Sequence, residues 1–194
     1  MSSRDRLRKD EAGIGIIELV IAIAIINIAI MAMFAMFQAG GLSILRAART
    51  SNASVVAEKQ MERYRGLLYT GMALNNPLVN ASATTSDPIH TGAPEWGSAS
   101  NQVQLPSTAT APAFACASTS AECIPIQTSV SGPDGRAYRI DSYITNYTPT
   151  NGRVGKQVTV NVRLASDTTK VLAKLTSNFD RATGCVYGDV NNPC

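Results

Sequence analysis

Gly13 to Phe37 reads GIGIIELVIAIAIINIAIMAMFAMF, an apolar run interrupted by one acid, Glu18, and one amide, Asn27, with no basic residue. From Ile14 onward, at 1.5 Å per residue, it makes a helix of roughly 36 Å, enough to cross a bilayer core with some tilt. A carboxylate five residues into such a run costs several kcal/mol if it is left unpaired in lipid. Either Glu18 has a partner, or this helix does not stay in lipid.

The remaining chain differs sharply from this run. Of the 194 residues, 45% are hydrophobic and only 16% charged. The apolar excess sits in the first fifth, so the remainder is polar and rich in Ser, Thr, Ala and Asn. The length leaves room for the helix and one modest domain. A net charge of +3 is too small to argue for nucleic acid, which is not expected as a partner. Arg136, Tyr138, Arg139, Tyr143 and Tyr147 interleave bases with aromatics, a pattern that suits single strands, but alternating sheet faces explain it better.

Before the run, Met1 to Gly13 is polar, with Arg4, Arg6, Arg8 and Lys9 against Asp5, Asp10 and Glu11. Its basic residues suit a segment held on the cytoplasmic side. A conventional signal peptide would be cut after the apolar run, here near Gln38 to Gly41. A plain signal-anchor helix, with Glu18 snorkelling to the interface, is the simplest alternative.

A short polar leader, Gly13 directly before IGIIE, Glu18 at fixed spacing and a long apolar run together resemble the class III signal of type IV prepilins and pseudopilins. The resemblance implies cleavage after Gly13 by a prepilin peptidase and N-methylation of the new terminal residue, Ile14. It also implies that Glu18 meets the N-terminal amine of a neighbouring subunit. Further implied partners are other pilin or pseudopilin subunits, an inner-membrane assembly platform, and the lipid bilayer before assembly. The departures are Ile14 where Phe or Met is commoner, Gly15 where Thr is commoner, and Ala35 where many major pilins carry a kinking Pro. That leaves Gly40-Gly41 as a softer hinge.

The helical pattern continues past the run. Ala53, Val56, Ala57, Met61, Tyr64, Leu67 and Leu68 share one helical face, with Gln60 its one polar member. Glu58, Lys59, Glu62, Arg63 and Arg65 occupy the other side, with Lys59–Glu62 and Glu62–Arg65 as opposite pairs at i+3. The spacing predicts a nearly continuous helix from about Ile14 to about Tyr69, stopped by Gly71. A break at Gly40-Gly41 into two helices is the alternative.

From Asn75 to Ala121, Ala, Ser, Thr, Asn, Pro and Gly dominate. Pro77, Pro88, Pro94, Pro106 and Pro112 are expected to break any long element, with a brief strand at Val103 to Leu105. The resemblance makes this the variable loop of subunit contacts. Asn80-Ala81-Ser82 matches a glycosylation pattern too frequent by chance to carry a site. His90, the only histidine, has no second His or Cys at ligand spacing and reads as a loop residue without chemistry.

Beyond it, period-two patterns predict a sheet. Ile124 to Val130 and Arg136 to Thr145 flank the turn Ser131-Gly132-Pro133-Asp134-Gly135. Tyr138, Ile140 and Ile144 share a face, with Arg139 and Asp141 on the other. Asn151-Gly152 marks a turn before Lys156 to Leu164, where Val158, Val160, Val162 and Leu164 alternate with polar residues. After a turn at Asp167 to Lys170, Val171, Ala173, Leu175 and Phe179 continue the alternation. A meander this small needs a partner for its apolar face, and the Ala53 to Leu68 stripe supplies one. The expected class is α+β, a long N-terminal helix on a small antiparallel sheet. The same order is what the pilin resemblance implies.

Cys116, Cys123, Cys185 and Cys194 are an even set in a polar, exported part, which favours disulfides. Three connectivities are open. Local pairing, Cys116 with Cys123 and Cys185 with Cys194, is preferred because it closes two short irregular loops and pins the tail. No CxxC or His partner supports a metal. No GxSxG, P-loop or HExxH is present, and Asp134, Asp141, Asp167, Asp180 and Asp189 are scattered in turns and on strand faces.

The expected organisation is a leader (1–13), an apolar half-helix (14–41), an amphipathic half-helix (42–71), a variable loop (72–123), and a sheet with a disulfide-pinned tail (124–194). The expected function is structural and not enzymatic, with no cofactor: a subunit of a type IV pilus or pseudopilus, a minor pilin or pseudopilin. Its location would be a single-pass membrane protein with an extracytoplasmic C-terminal domain before assembly, and a filament afterwards. The alternatives are a tip adhesin or DNA-binding minor pilin, or a membrane-anchored exported domain that never polymerises.

Overall fold

The computed structural model describes residues 15–105, 119–149 and 154–180. The chain divides into two units, Met1–Ala47 and Ala48–Cys194. One α-helix, α1 (Ile16–Arg65), supplies the described part of the first and the opening of the second. Its composition favours this: Ala, Leu, Met and Ile without a proline, Glu18 in the first turn, and Arg63 and Arg65 in the last.

In the first unit every residue from Gly15 to Ala47 is exposed, including Ile16 at 84% and Phe37 at 77%. Among the described residues nothing covers these apolar side chains, a pattern compatible with surroundings other than water. Among the described residues it is the one helix long and apolar enough to cross a membrane. The helix continues through Gly40 and Gly41, so the two-helix alternative is set aside.

In the second unit, Ala53, Val56, Ala57, Gln60, Met61 and Tyr64 of α1 are buried, the stripe read from the sequence. The helix stops earlier than expected. Gly66, not Gly71, follows its last residue; the Gly66 amide donates to the Glu62 carbonyl at 3.0 Å and Leu67 to Tyr64 at 3.1 Å, tightening the final turn. Leu67 still packs on the core from beyond the helix, and Tyr69–Gly71 forms a separate 3₁₀ turn. The Glu62–Arg65 pair is formed on the exposed side.

The stripe meets a four-stranded antiparallel sheet in simple meander order, β3 (Ile126–Ser131), β4 (Ala137–Tyr147), β5 (Gly155–Leu164) and β6 (Val171–Phe179). Register pairs Tyr138 with Leu164, Ile140 with Val162, Ser142 with Val160 and Ile144 with Val158, which puts one alternation set on the face toward α1. Each fully buried aliphatic side chain there contributes roughly 1.5–3 kcal/mol. Inside the interface, Tyr64 lies beside Ser142 and Gln60, and burial pushes its phenol up to about 12. Gln60 donates to the Ala121 carbonyl at 2.9 Å and accepts from Arg63 at 2.9 Å, so the one polar residue of the stripe is satisfied. Lys156, the second residue of β5, donates to the Tyr69 carbonyl at 2.6 Å and the Met72 carbonyl at 2.8 Å. Burial lowers its amine to about 8.

The segment expected to be an irregular loop holds more structure. A two-residue parallel pair joins β1 (Leu74–Asn75) to β2 (Gln104–Leu105), and between them lie helices α2 (Asn76–Ala83) and α3 (Pro88–Thr91). No long element forms among the described residues of this segment, as expected, but two of the prolines start short helices; Pro106 and Pro112 lie outside the described residues. Pro77 and Pro88 sit in the first turns, where no intrahelical amide bond is lost. Asn75 caps α2 through Leu78, and Asp87 caps α3 through Ile89 and His90.

Candidate functional site

Two places carry the residues of interest. The first is the start of α1. Gly13 and Ile14 lie outside the described residues. Glu18 stands in the first turn with its amide donating to the Gly15 carbonyl at 2.9 Å, and its residue is exposed among apolar neighbours. No ion pair to Glu18 is found among the described residues. Cys123 is buried and disulfide-bonded, while Cys116, Cys185 and Cys194 lie outside the described residues. Asn80 is on α2 and donates to Asn76 at 3.0 Å.

The second place was not expected. The sheet face away from α1 is covered in part by the α3 segment, and a charged cluster is sealed beneath it. Arg139, Asp141 and Tyr143 project from β4, and Thr159, Asn161 and Arg163 from β5. Arg163 is 0% exposed and Asp141 is 1% exposed. Arg163 Nε donates to Asp141 Oδ2 at 2.7 Å; its Nη1 and Nη2 reach Asp87 Oδ1 and Oδ2 at 3.1 and 2.7 Å, a two-pronged grip. Arg163 Nη1 also donates to the Thr168 carbonyl at 2.8 Å. Arg139 bridges the same acids, 2.6 Å from Asp87 and 3.1 Å from Asp141.

His90 completes the cluster. Read as a loop residue, it is instead on α3 and fully buried, with Nδ1 at 3.3 Å from Asp141 Oδ1. The Tyr143 hydroxyl donates to the His90 carbonyl at 3.2 Å, and the two rings stack at 5.1 Å. Trp96 closes the top, 4.8 Å from the His90 ring. Gly92 allows the chain to turn here, because a Cβ at that position would stand 2.4 Å from the Pro88 carbonyl oxygen. Gln102 then locks the segment to β4: its amide donates to the carbonyls of Glu95 and Trp96 at 2.8 and 2.9 Å and accepts from the Ile144 amide at 2.9 Å. It satisfies β4 backbone beyond the reach of β3.

The electrostatics follow from this geometry. For Asp141, burial opposes ionisation, but the His90 hydrogen bond and the guanidiniums of Arg163 and Arg139 outweigh it and hold the carboxyl below its ordinary value. For Asp87, burial is likewise opposed by the Arg163 hydrogen bonds and charge, the Ile89 amide and Arg139, leaving it at about 2 against an ordinary 3.8. Arg163 loses by burial and gains more from Asp87 and Asp141, so its protonated form is held more firmly. Burial first, then the Asp141 charge, pushes the Tyr143 phenol well above its usual range. The cluster is thus two acids and two guanidiniums plus an imidazole, enclosed under an aromatic lid. That arrangement fastens a segment to a sheet across long sequence separations; its His90 imidazole has no exposed surface to offer a substrate.

A pH dependence follows. A depressed carboxyl contributes stability that is present above its unfolded value and lost as pH falls through the folded one. Unfolding midpoints of the full chain should therefore fall as pH drops from 3.8 toward about 2. In Asp87→Asn the midpoint should be lower at neutral pH and flatter across this window. An unchanged acid slope in that variant would remove Asp87 from the account.

Asp87-Pro88 was a readable helix-start signal, and Arg163 stands next to last in the clearest alternating strand. Nothing local indicated that they meet across 76 residues. Among the described residues, no group of His, Cys, Asp and Glu has metal-holding geometry. Compared with protein-family models, curated proteins and solved structures, the chain matches none.

Proposed function

We propose that this chain is a pilin-like subunit of a type IV pilus or pseudopilus, made as a prepilin, cut after Gly13, methylated at Ile14 and polymerised through α1. Its role is that of a minor pilin or pseudopilin, structural and not catalytic. The observation that supports this reading best is a single helix whose apolar half is wholly exposed with one acid, Glu18, in its first turn, while its second half is packed on a sheet. Such a helix has two apolar environments open to it in turn. Lipid holds it before assembly, and neighbouring helices replace lipid afterwards. The partners are a prepilin peptidase, sibling subunits and an inner-membrane platform. Of the three open connectivities, this reading favours the local one, Cys116 with Cys123 and Cys185 with Cys194, which non-reducing mass mapping would check.

The reading is tested by the mature N-terminus. Intact-mass and N-terminal analysis of protein expressed with its own processing machinery should find a chain beginning at Ile14, one methyl group heavier than the unmodified sequence. A chain retaining Met1 to Gly13, or cut near Gly41, would place the protein among anchored or secreted domains instead.

A further inference from the structure

Beyond the His90 cluster, the sheet face away from α1 turns from charged to neutral. Tyr143, Thr159 and Thr176 share one rung of β4, β5 and β6, and Thr145, Gln157 and Asn178 share the next. The Thr159 and Thr176 hydroxyls meet at 3.1 Å, and Gln157 donates to Asn178 at 3.0 Å. The chain that follows α3 walls this second rung and leaves an open cleft of about 510 Å³, lined by Glu95, Ser100, Asn101, Thr145, Asn146 and Gln157. No Lys, Arg or His is among its lining residues. The wall is built, not loose. Gln102 pins it through the Glu95 and Trp96 carbonyls, and Gly97, at a φ of 57°, leaves room for the Asn101 amide, which would collide with a Cβ there. No side-chain hydrogen bond is found for Asn101, Thr145 or Asn146 among the described residues. Glu95 Oε1 accepts from Lys174, while Oε2 is buried with no hydrogen-bond partner among the described residues. Tyr147 follows Thr145 on the same face; it is 39% exposed and stands opposite Gly155, which places no side chain beside its ring.

We propose that this cleft binds a neutral sugar. A sugar hydroxyl both donates and accepts, and so does a side-chain amide, so Asn101 and Gln157 can each meet a pair of adjacent hydroxyls. The Ser100 and Thr145 hydroxyls turn to suit either role, and the Glu95 carboxylate only accepts. A hydroxyl donated to Oε2 satisfies an acceptor whose burial is otherwise unfavourable. Other ligand classes fit less well. With one carboxylate and no cation in the lining, phosphates, acidic sugars and nucleic acid are repelled. An apolar ligand finds only Pro94 and Gly97 as non-polar lining. An extended peptide takes its main-chain bonds at a sheet edge, and this cleft lies on a face. A sugar ring also presents a face of C–H groups, which the exposed Tyr147 ring is placed to cover. The inference goes beyond the proposed function and holds whether or not α1 polymerises, since every residue involved lies in the second unit.

The test uses the full chain in micelles of a zwitterionic detergent, which carries no sugar headgroup. Saturation transfer is read by NMR to lactose, maltose and diacetylchitobiose, with sialyllactose as the acidic comparison. At least one neutral disaccharide should take up saturation, and more strongly than sialyllactose. Its affinity should fall about fivefold in each of Asn101→Ala, Gln157→Ala and Tyr147→Ala. It should hold in Asn80→Ala, an amide on α2 outside the cleft. Trp96 emission and the urea midpoint report folding. Asn101 and Tyr147 are exposed, so their variants decide the case even if Gln157→Ala disturbs the sheet. Transfer to none of the neutral sugars overturns the proposal. So does undiminished transfer in folded Asn101→Ala and Tyr147→Ala, which would put the sugar elsewhere. A preference for sialyllactose overturns it too, because the cleft would then select an anion.

Discussion

Replacing Glu18 with alanine should abolish incorporation of the chain into filaments while leaving its membrane insertion intact. The carboxylate sits in the first turn of α1, flanked by Ile17 and Leu19, and no ion pair to it is found among the described residues. If a neighbouring subunit's terminal amine fills that role, assembly buries a charge pair. Removing one member then leaves an uncompensated charge, at a cost of about 3–5 kcal/mol per junction. At 1.4 kcal/mol per factor of ten, that is a loss of about a hundredfold or more in subunit incorporation. Glu18→Gln should fail similarly, since it keeps shape but not charge, and Glu18→Asp should retain part of the wild-type level. The measurement is the ratio of the chain in sheared or pelleted filaments to the chain in membranes. Equal ratios for wild type and Glu18→Ala would remove assembly pairing as the reason for the acid, and leave an anchor whose carboxylate reaches the interface.

What could be read from the sequence divides along a physical line. The stripe from Ala53 to Tyr64 and the alternation from Val158 to Leu164 are local periodicities, set by residues three, four or two apart, and both form the core as expected. The α+β pairing of helix and meander then follows, because each had one apolar face to cover. Helix termination at Gly66 was misjudged because Leu67 and Leu68 continue the apolar pattern beyond the point where the backbone leaves the helix. Pattern reports side-chain burial, and burial does not require helical backbone.

The Asp87 to Gln102 segment was misread for the opposite reason. Its composition is polar and proline-rich, which looks like solvent-facing loop. Its fastening is non-local, however: Asp87 to Arg163, His90 to Asp141, and Gln102 to Ile144. Charged residues on a strand's second face give no sign in the sequence of whether they meet water or each other. Arg139 and Asp141 were placed on that face correctly, and their burial came from a segment whose arrival the sequence did not announce.

That non-local fastening carries the second large expectation. Arg163→Ala should destabilise the domain by about 3 kcal/mol, the low end of the cost of breaking a buried pair, because Asp141 would keep its burial and lose its closest counter-charge. Arg139 offers partial compensation, being within 3.1 Å of Asp141 and 2.6 Å of Asp87, so the loss should not reach that of an isolated buried acid. Trp96 is the only tryptophan and packs on His90 at the lid of the cluster, so its emission reports directly on this site during urea unfolding of the full chain. A double-mutant cycle with Asp87→Asn should show strong coupling, since both changes cut the same two-pronged contact. The exposed Arg65–Glu62 pair is the natural control: Arg65→Ala removes an ion pair too, but one in water, and should cost less than about 1 kcal/mol. If Arg163→Ala were as mild as Arg65→Ala, the charges under α3 would have to be accessible to water, and the α3 segment would be a loose cover instead of a fastened one. If the cost is large and Trp96 shifts to longer wavelength before global unfolding, the segment detaches as a unit, and the sheet's second face is held closed by charge more than by apolar area.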